Sequence, residues 1–459
     1  QLPSGFRIEL MAAEPLVMDP IALEWGVDGK LWVVEMADYP LGLDDRGQPG
    51  GRVRYLEDTD QDGVYDKSTL FVDKIPFPTG VLPINIDPDR PGCLISAAPY
   101  VVQVRKKSDW KEVLADPENI LLQGFGEGNQ QHRFNGFSAG LDNWIYLANG
   151  DSGGTVVAPG TDRSLNINGR DLRIRLKPKL AMEALTGQTQ FGRHRDSWGN
   201  WFGCANPLPL RHYLLPDYYL KRNPHYQYPS PRRDIATAGN TRIYPISRVL
   251  SHWSGYRPPA PGQPHRFTSA CSTDIYRDQL YGSDFFHNSF TCEPVHNLVH
   301  RRILKKEGVS YSSSRAASES DSEFLASRDS WFRPTTVKAG PEGALWITDM
   351  YRLVIEHPEW IDDQREKELF LRAGHDRGRI YRIVPDQPEA APLPVISRPA
   401  PATVKVDGQL TTEFTDYLIS MLMPQSRWQN ETAQRLLVQA GENVQDRRIG
   451  EKLQPLLTL

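Results

Sequence analysis

Cysteine is scarce in this chain and never closely spaced. Four stand among 459 residues, Cys93, Cys204, Cys271 and Cys292, with no CxxC, which excludes a zinc ribbon and a haem-attachment sequence. No stretch approaches the roughly 18 apolar residues that a membrane helix needs. Cationic excess is also missing: Lys and Arg total 53 against 57 Asp and Glu, and the net charge is −4. Nothing here marks a nucleic-acid partner. The densest basic run, Arg301-Arg302 with Lys305-Lys306, reads as a solvated strand edge.

What the chain has instead is hairpins. Gln130 to Asp151 reads as a strand over 137–140, a tight Asp-Asn turn and a second strand over 144–148. The pattern recurs at Trp25–Trp32, at 86–89, at Asp196–Phe202, in a degenerate copy at Tyr276–Phe285, and at Gly340–Ile347. Six copies at roughly 55–75 residue spacing leave room for four strands each, and radial repetition of such sheets is a β-propeller. A sandwich with chance Asp-Gly turns is the alternative. It does not account for aromatics at the same offset in each hairpin. The expected fold is therefore all-β, a six-bladed propeller over 1–384, closed by Phe6–Leu10 pairing with Gly378–Ile383. A proline-rich linker follows over 385–410. Residues 411–459 turn to period 3.6, with Phe414, Leu418 and Leu422 on one face, and read as a short HEAT-like helical segment that caps the propeller or begins a helical repeat.

In such a ring, the residues before and after each hairpin meet at one end of the central channel. His132, Arg133 and Asn135 thus converge with Asn149 and Asp151, and His132 is the expected proton acceptor, with Asp151 fixing its tautomer. Glu35, Glu293 and Asp349 follow other hairpins and are weaker candidates for a channel metal. His296 and His300 stand four apart on a stretch that reads as a strand, where they face the same side about 13 Å apart, too far to share one ion. Asp58, Asp60, Asp62 and Asp66 with Gly63 match a calcium loop, although Thr69 stands where the bidentate Glu is usual. Its weak ligand set suits millimolar calcium, hence a periplasmic or secreted location. Cys271 and Cys292 flank the fifth hairpin and are the candidate pair for a disulfide across its outer ends, with Cys204 at a similar offset in blade four able to replace either partner.

The run Gly340–Arg352, continued by Ile355–Trp360 and Asp376–Arg382, together with Cys292–Arg301, resembles the planctomycete-type propeller proteins labelled membrane-bound dehydrogenases. Members often continue into HEAT-like helices and a haem-binding CxxCH cytochrome, which implies a cytochrome as electron acceptor. More distantly, the chain is similar to the soluble sugar and sorbosone dehydrogenases that use pyrroloquinoline quinone (PQQ) and bind calcium. His132 with Ser138–Tyr146 and Gly150-Asp151 looks like the segment carrying their general base; Asn206-Pro207 looks like a cofactor-side Asn-Pro, and Arg333 like a cofactor-carboxylate arginine. Ala205 stands where those enzymes have Arg, and Val295 or His296 where a lysine is expected in blade five. The resemblance implies a sugar or polyol dehydrogenase with His132, Asp151 and Arg133 in the catalytic set, and with Arg333, Asn206, Asn135 and His296 holding the quinone. A metal-dependent carbohydrate hydrolase or lyase and a non-catalytic glycan-binding propeller are the alternatives.

Overall fold

Each hairpin turn needs one residue in the left-handed region, and the sequence supplies it at the same offset: Gly29 (φ 80°), Asn143 (62°), Gly199 (81°) and Gly343 (86°). In three of these turns an aspartate accepts following backbone N–H groups: Asp28 from Lys30, Asp142 from Trp144, and Asp196 from Trp198 and Asn200. Each of these turns joins the first two strands of a sheet of four or five strands. In the computed structural model, which describes residues 1–84, 92–236, 241–386, 411–422 and 426–443, the sheets stand as six blades in a ring. The turn at 86–89, the stretch 387–410 and residues 444–459 lie outside the described residues.

The innermost strands are Pro20–Trp25, Gly80–Pro83, Asn135–Ala139, His194–Arg195, Cys271–Ile275 and Pro334–Ala339, in blades one to six. Blade six takes its outermost strand from the chain start. Phe6 pairs with Pro385 and Ile8 with Ile383, so the strand pairing expected from alternation closes the ring. The second strands, such as Leu31–Glu35 and Leu345–Asp349, are buried throughout, because each is covered by a blade on both faces. The apolar cores accordingly lie between blades, and the recurrent aromatics sit in them: Trp25 meets Trp346 edge-on at 5.3 Å across blades one and six.

Two sequence expectations are corrected here. Arg301 and Arg302 are buried on the third strand of blade five, Leu298–Glu307, not on an edge; Arg301 binds Glu319 and Arg302 binds Ser313, while only Lys305 and Lys306 reach solvent. The four cysteines are buried and free. Cys271 and Cys292 do face each other across the first two strands of blade five, but the Cys271 thiol is directed to the carbonyl oxygens of Pro334 and Thr335 in blade six.

The helices Thr412–Ser420 and Arg427–Asn443 pack together through Phe414, Leu418, Met421, Ala433, Leu436 and Leu437, and onto Val27 of a hairpin turn. Glu431 binds Arg195 of blade four (2.8 Å) and Arg277 of blade five; the Arg427 backbone donates to Asp278 (2.7 Å) and Trp428 to Glu24 (3.3 Å). The pair therefore covers the end of the ring where the hairpin turns lie. Breaking this junction leaves two arginines without their carboxylate, so Glu431→Gln is expected to lower stability by about 2–4 kcal/mol, read as a shift in the urea midpoint.

Candidate functional site

The ring encloses a channel of about 480 Å³ lined by the inner strands and by the segments that precede and follow them. Its waist is apolar, with Ile21, Val81, Phe137 and Phe191. Near the helical stopper it carries Glu24 paired with Lys338, and His194 beside Asp274 (3.4 Å). The open end is where the polar residues gather.

His132 ends a single 3-10 turn, Gln130–His132, capped by the Asn129 side chain. The returning strand Ile145–Ala148 brings Asp151 alongside. The approach is close enough that a Cβ on Gly150 would lie 2.0 Å from the Arg133 carbonyl oxygen, and Ser152 donates twice to the His132 carbonyl. His132 Nδ1 stands 3.8 Å from Asp151 Oδ2, and Asp151 is itself held by Gln188 (2.7 Å). His132 Nε2 stands 3.2 Å from Gln190 Nε2. The Gln190 amide orientation follows from its other end, since Oε1 accepts the Asn206 N–H at 2.6 Å. Gln190 therefore donates to Nε2, which places the His132 proton on Nδ1, facing Asp151. Burial lowers the His132 pKa from its ordinary value, and Asp151 and Glu359 oppose this only in part. The imidazole is a neutral base at neutral pH.

The other expected site residues divide sharply. Asn206 lines the channel beside Gln190. Arg133 also lines it, resting over Phe77 at 4.9 Å and donating to the Glu127 carbonyl. Asn135 reaches the channel wall but binds backbone with both ends of its amide: it donates to Arg133 O and Gln190 O and accepts from Gly192 N. Arg333 is fully buried and away from the lining. Its Nε donates to Arg352 O (2.8 Å), Nη1 to Pro294 O (2.9 Å), and Nη2 to Leu353 O (2.6 Å) and Leu250 O (3.5 Å). This arginine clasps the connections around the mouth. His296 is equally buried, bonded to Glu293 at 2.9 Å.

The weaker metal candidates are engaged as well. Glu293 accepts from the Thr268 and Ser269 hydroxyls, Asp349 from the backbones of Arg333 and Tyr351, and Glu35 pairs with Arg52 and Arg54, both at 2.8 Å. All three are buried and none lines the channel. In the acidic loop, ligand atoms of Asp58, Asp60 and Asp62 lie within 4.8 Å of one another, whereas Asp66 turns to the backbone and hydroxyl of Thr59.

Among the described residues, Arg133 and Lys338 are the cationic side chains lining the channel, and Lys338 is already paired with Glu24. A tricarboxylate such as PQQ requires more positive charge than this. The three anchoring positions implied by resemblance hold Ala205, the apolar Val295 with a buried His296, and the engaged Arg333. The donor set does not fit the quinone at these positions.

Sequence reading missed Gln190 and the residues contributed by two irregular segments over the mouth. From one come Ser251, His252 and Trp253; from the other, Glu356, His357 and Trp360. Burial works against the Glu356 carboxylate, yet the hydrogen bond from His252 and the charge of Arg333 hold it down at about 2. Burial pushes His357 down to about 4, and its Nε2 meets Gln130 Oε1 at 2.6 Å. Neither segment carries a periodicity that could have placed it. No helix among the described residues is long and apolar enough to cross a membrane.

Several solved structures are similar to the chain. A structure from Thermus thermophilus described as a putative oxidoreductase (glucose dehydrogenase) is 14% identical, with 83% of this chain and 100% of that one covered and a TM-score of 0.47. A PQQ-bound aldose sugar dehydrogenase from Streptomyces coelicolor is also 14% identical, with 83% and 100% covered and a TM-score of 0.38. A streptogramin B lyase is 9% identical, with 83% and 99% covered and a TM-score of 0.35. Such distant likenesses leave the activity to be argued from the site. No curated protein matches the chain. One family model does, over residues 1–387, and the chain belongs to the family described as domain of unknown function DUF7133.

Proposed function

We propose that the protein is a sugar or polyol dehydrogenase whose reaction takes place at the open end of the channel. The observation that carries this reading is the neutral His132, set between Asp151 and Gln190 at the mouth of a channel whose other end is covered by helices. A substrate hydroxyl entering there meets the Nε2 lone pair in place of the Gln190 amide. His132 takes its proton, and the Asp151 carboxylate stabilises the imidazolium that forms. Asn206 and Arg133 line the same space and supply polar contacts to the remaining hydroxyls. The hydride requires an acceptor, and the donor set of the channel does not match PQQ. An electron-accepting cytochrome and a periplasmic or secreted location belong to the same reading.

Reduction of an artificial dye by a panel of sugars and polyols tests it, run with no addition, with PQQ plus calcium, and with flavin or nicotinamide acceptors. Absence of turnover with every acceptor, alongside sugar binding that survives His132→Gln, would leave a binding propeller. The metal-dependent hydrolase or lyase has less support, because Glu35, Glu293 and Asp349 are already bonded within the protein.

Calcium is assigned in this reading to Asp58, Asp60 and Asp62. At about ten times its Kd, calcium should add about 1.4 kcal/mol of stability. The thermal shift should vanish in Asp60→Asn combined with Asp62→Asn, and an equal shift in that variant would remove the loop from consideration.

A further inference from the structure

We propose that Trp253 and Trp360 form a stacking platform at the open end of the channel that binds neutral oligosaccharides, so that the unit presented to His132 is the end of a longer glycan. The inference rests on the reading of the channel as a carbohydrate site.

Both indoles line the channel, yet they are 39% and 41% exposed, whereas Phe137 and Phe267 in the same wall are almost fully covered. Large aromatic faces left open beside polar groups mark a binding groove. Trp198, the more exposed indole, is not part of the channel lining; it sits on a hairpin turn at the opposite end of the ring. The two platform residues come from segments more than one hundred positions apart, and backbone pairing staples them together: Trp253 bridges to Ile361, and the Ser254 N–H donates to the Trp360 carbonyl at 2.8 Å. Gly255 lets the first ring lie against the main chain, since a Cβ there would stand 2.5 Å from the indole Cζ2. The second ring ends the single turn Pro358–Trp360, capped by the His357 side chain. Both rings are thus placed before any ligand arrives, which lowers the ordering cost of binding.

The chemistry of the rim points to uncharged sugars. An indole face suits the C–H face of a pyranose, and its N–H serves a hydroxyl. Around the rings lie planar polar groups: Asn129 bonded to Glu359 at 2.7 Å, and Gln130 bonded to His357. Each has further donor or acceptor capacity for hydroxyls. Glu356 and Glu359 on the same rim disfavour an acidic glycan. At about 480 Å³ the channel falls in the range of roughly 300–1,000 Å³ that takes a drug-sized ligand, more than one sugar ring requires.

The test is calorimetric and fluorescence titration of the full chain with cellotetraose, maltotetraose and laminaritetraose, and with glucose. Trp253→Ala and Trp360→Ala should each raise the Kd for the tetrasaccharide that binds by about tenfold or more, and the double variant further. Glucose binding should stay unchanged. Trp→Leu variants keep apolar bulk without the π face and should lose affinity like Ala; Trp→Phe should recover most of it. Circular dichroism and melting temperature establish that each variant is folded, and the Leu and Phe pair serves where Ala does not fold. Failure of the wild type to bind any tetrasaccharide, or a double variant that binds as the wild type does, overturns the platform. Indole-dependent binding without turnover by any acceptor upholds the platform and removes the dehydrogenase reading. Turnover of a glycan with kcat/KM indifferent to both indoles removes the platform alone.

Discussion

Replacing His132 by Gln is expected to lower kcat/KM for the oxidised sugar or polyol by about 10²- to 10⁴-fold, the usual worth of a positioned general base. The fold should survive, because the imidazole side chain is 23% exposed and is held by polar contacts rather than by a core. The pH dependence gives an independent reading. Only the neutral imidazole accepts a proton, so kcat/KM rises with pH through the His132 pKa and then levels. Burial lowers that pKa, which places the rising limb below the ordinary histidine range near 6.5. Asp151 raises the pKa, so Asp151→Asn should move the limb further to acid while slowing the plateau rate, since the ring loses the group facing its Nδ1 proton. A profile without an acid limb, or full activity in His132→Gln, would sink the assignment.

The second large effect concerns stability. Arg333→Ala should destabilise the protein by about 3–5 kcal/mol, because it strips donors from buried carbonyl oxygens and removes a charge that the surrounding structure is built to hold. Those carbonyls belong to Leu250, Pro294 and the Arg352-Leu353 pair, three separate connections around the mouth. Arg333→Lys should recover little, since an ammonium group cannot span three chain segments as a planar guanidinium does. The measurement is the urea midpoint of protein purified without cofactor. If Arg333→Ala melts like the wild type and loses only affinity for PQQ, the arginine is a cofactor contact after all, and the donor-set argument against the quinone weakens with it.

Arg333 also shows where sequence reading stops. Its position before an inner strand was legible, and that position does lie at the mouth of the ring. Whether its side chain turned to the channel or to neighbouring carbonyls depended on the connections that folded over it, and those carry no periodic signal. Glu293 and Asp349 went the same way. They end the second strands of their blades, after the hairpin turns as expected, but backbone N–H groups or hydroxyls from adjoining loops reach them first, for a buried carboxylate must find donors.

His132 and Asp151 fared otherwise because one short hairpin joins them. The register of that hairpin, set by period two and by a left-handed turn residue, determines which flanking residues meet, whatever the remaining chain does. The recurrence of the same turn, with its aspartate and aromatics, likewise carried the six-fold ring, since each copy is a local event repeated at regular spacing. Trp253, Trp360 and Gln190 had no such local rule. Their meeting with His132 required the ring to close first and distant segments to pair across it. The sequence by itself determined the repeated sheet, the closing strand and the one hairpin-bound pair at the mouth. Only the tertiary structure decided which polar side chains face the opening and which are consumed inside the wall, because that choice is made by hydrogen-bond competition among residues far apart along the chain.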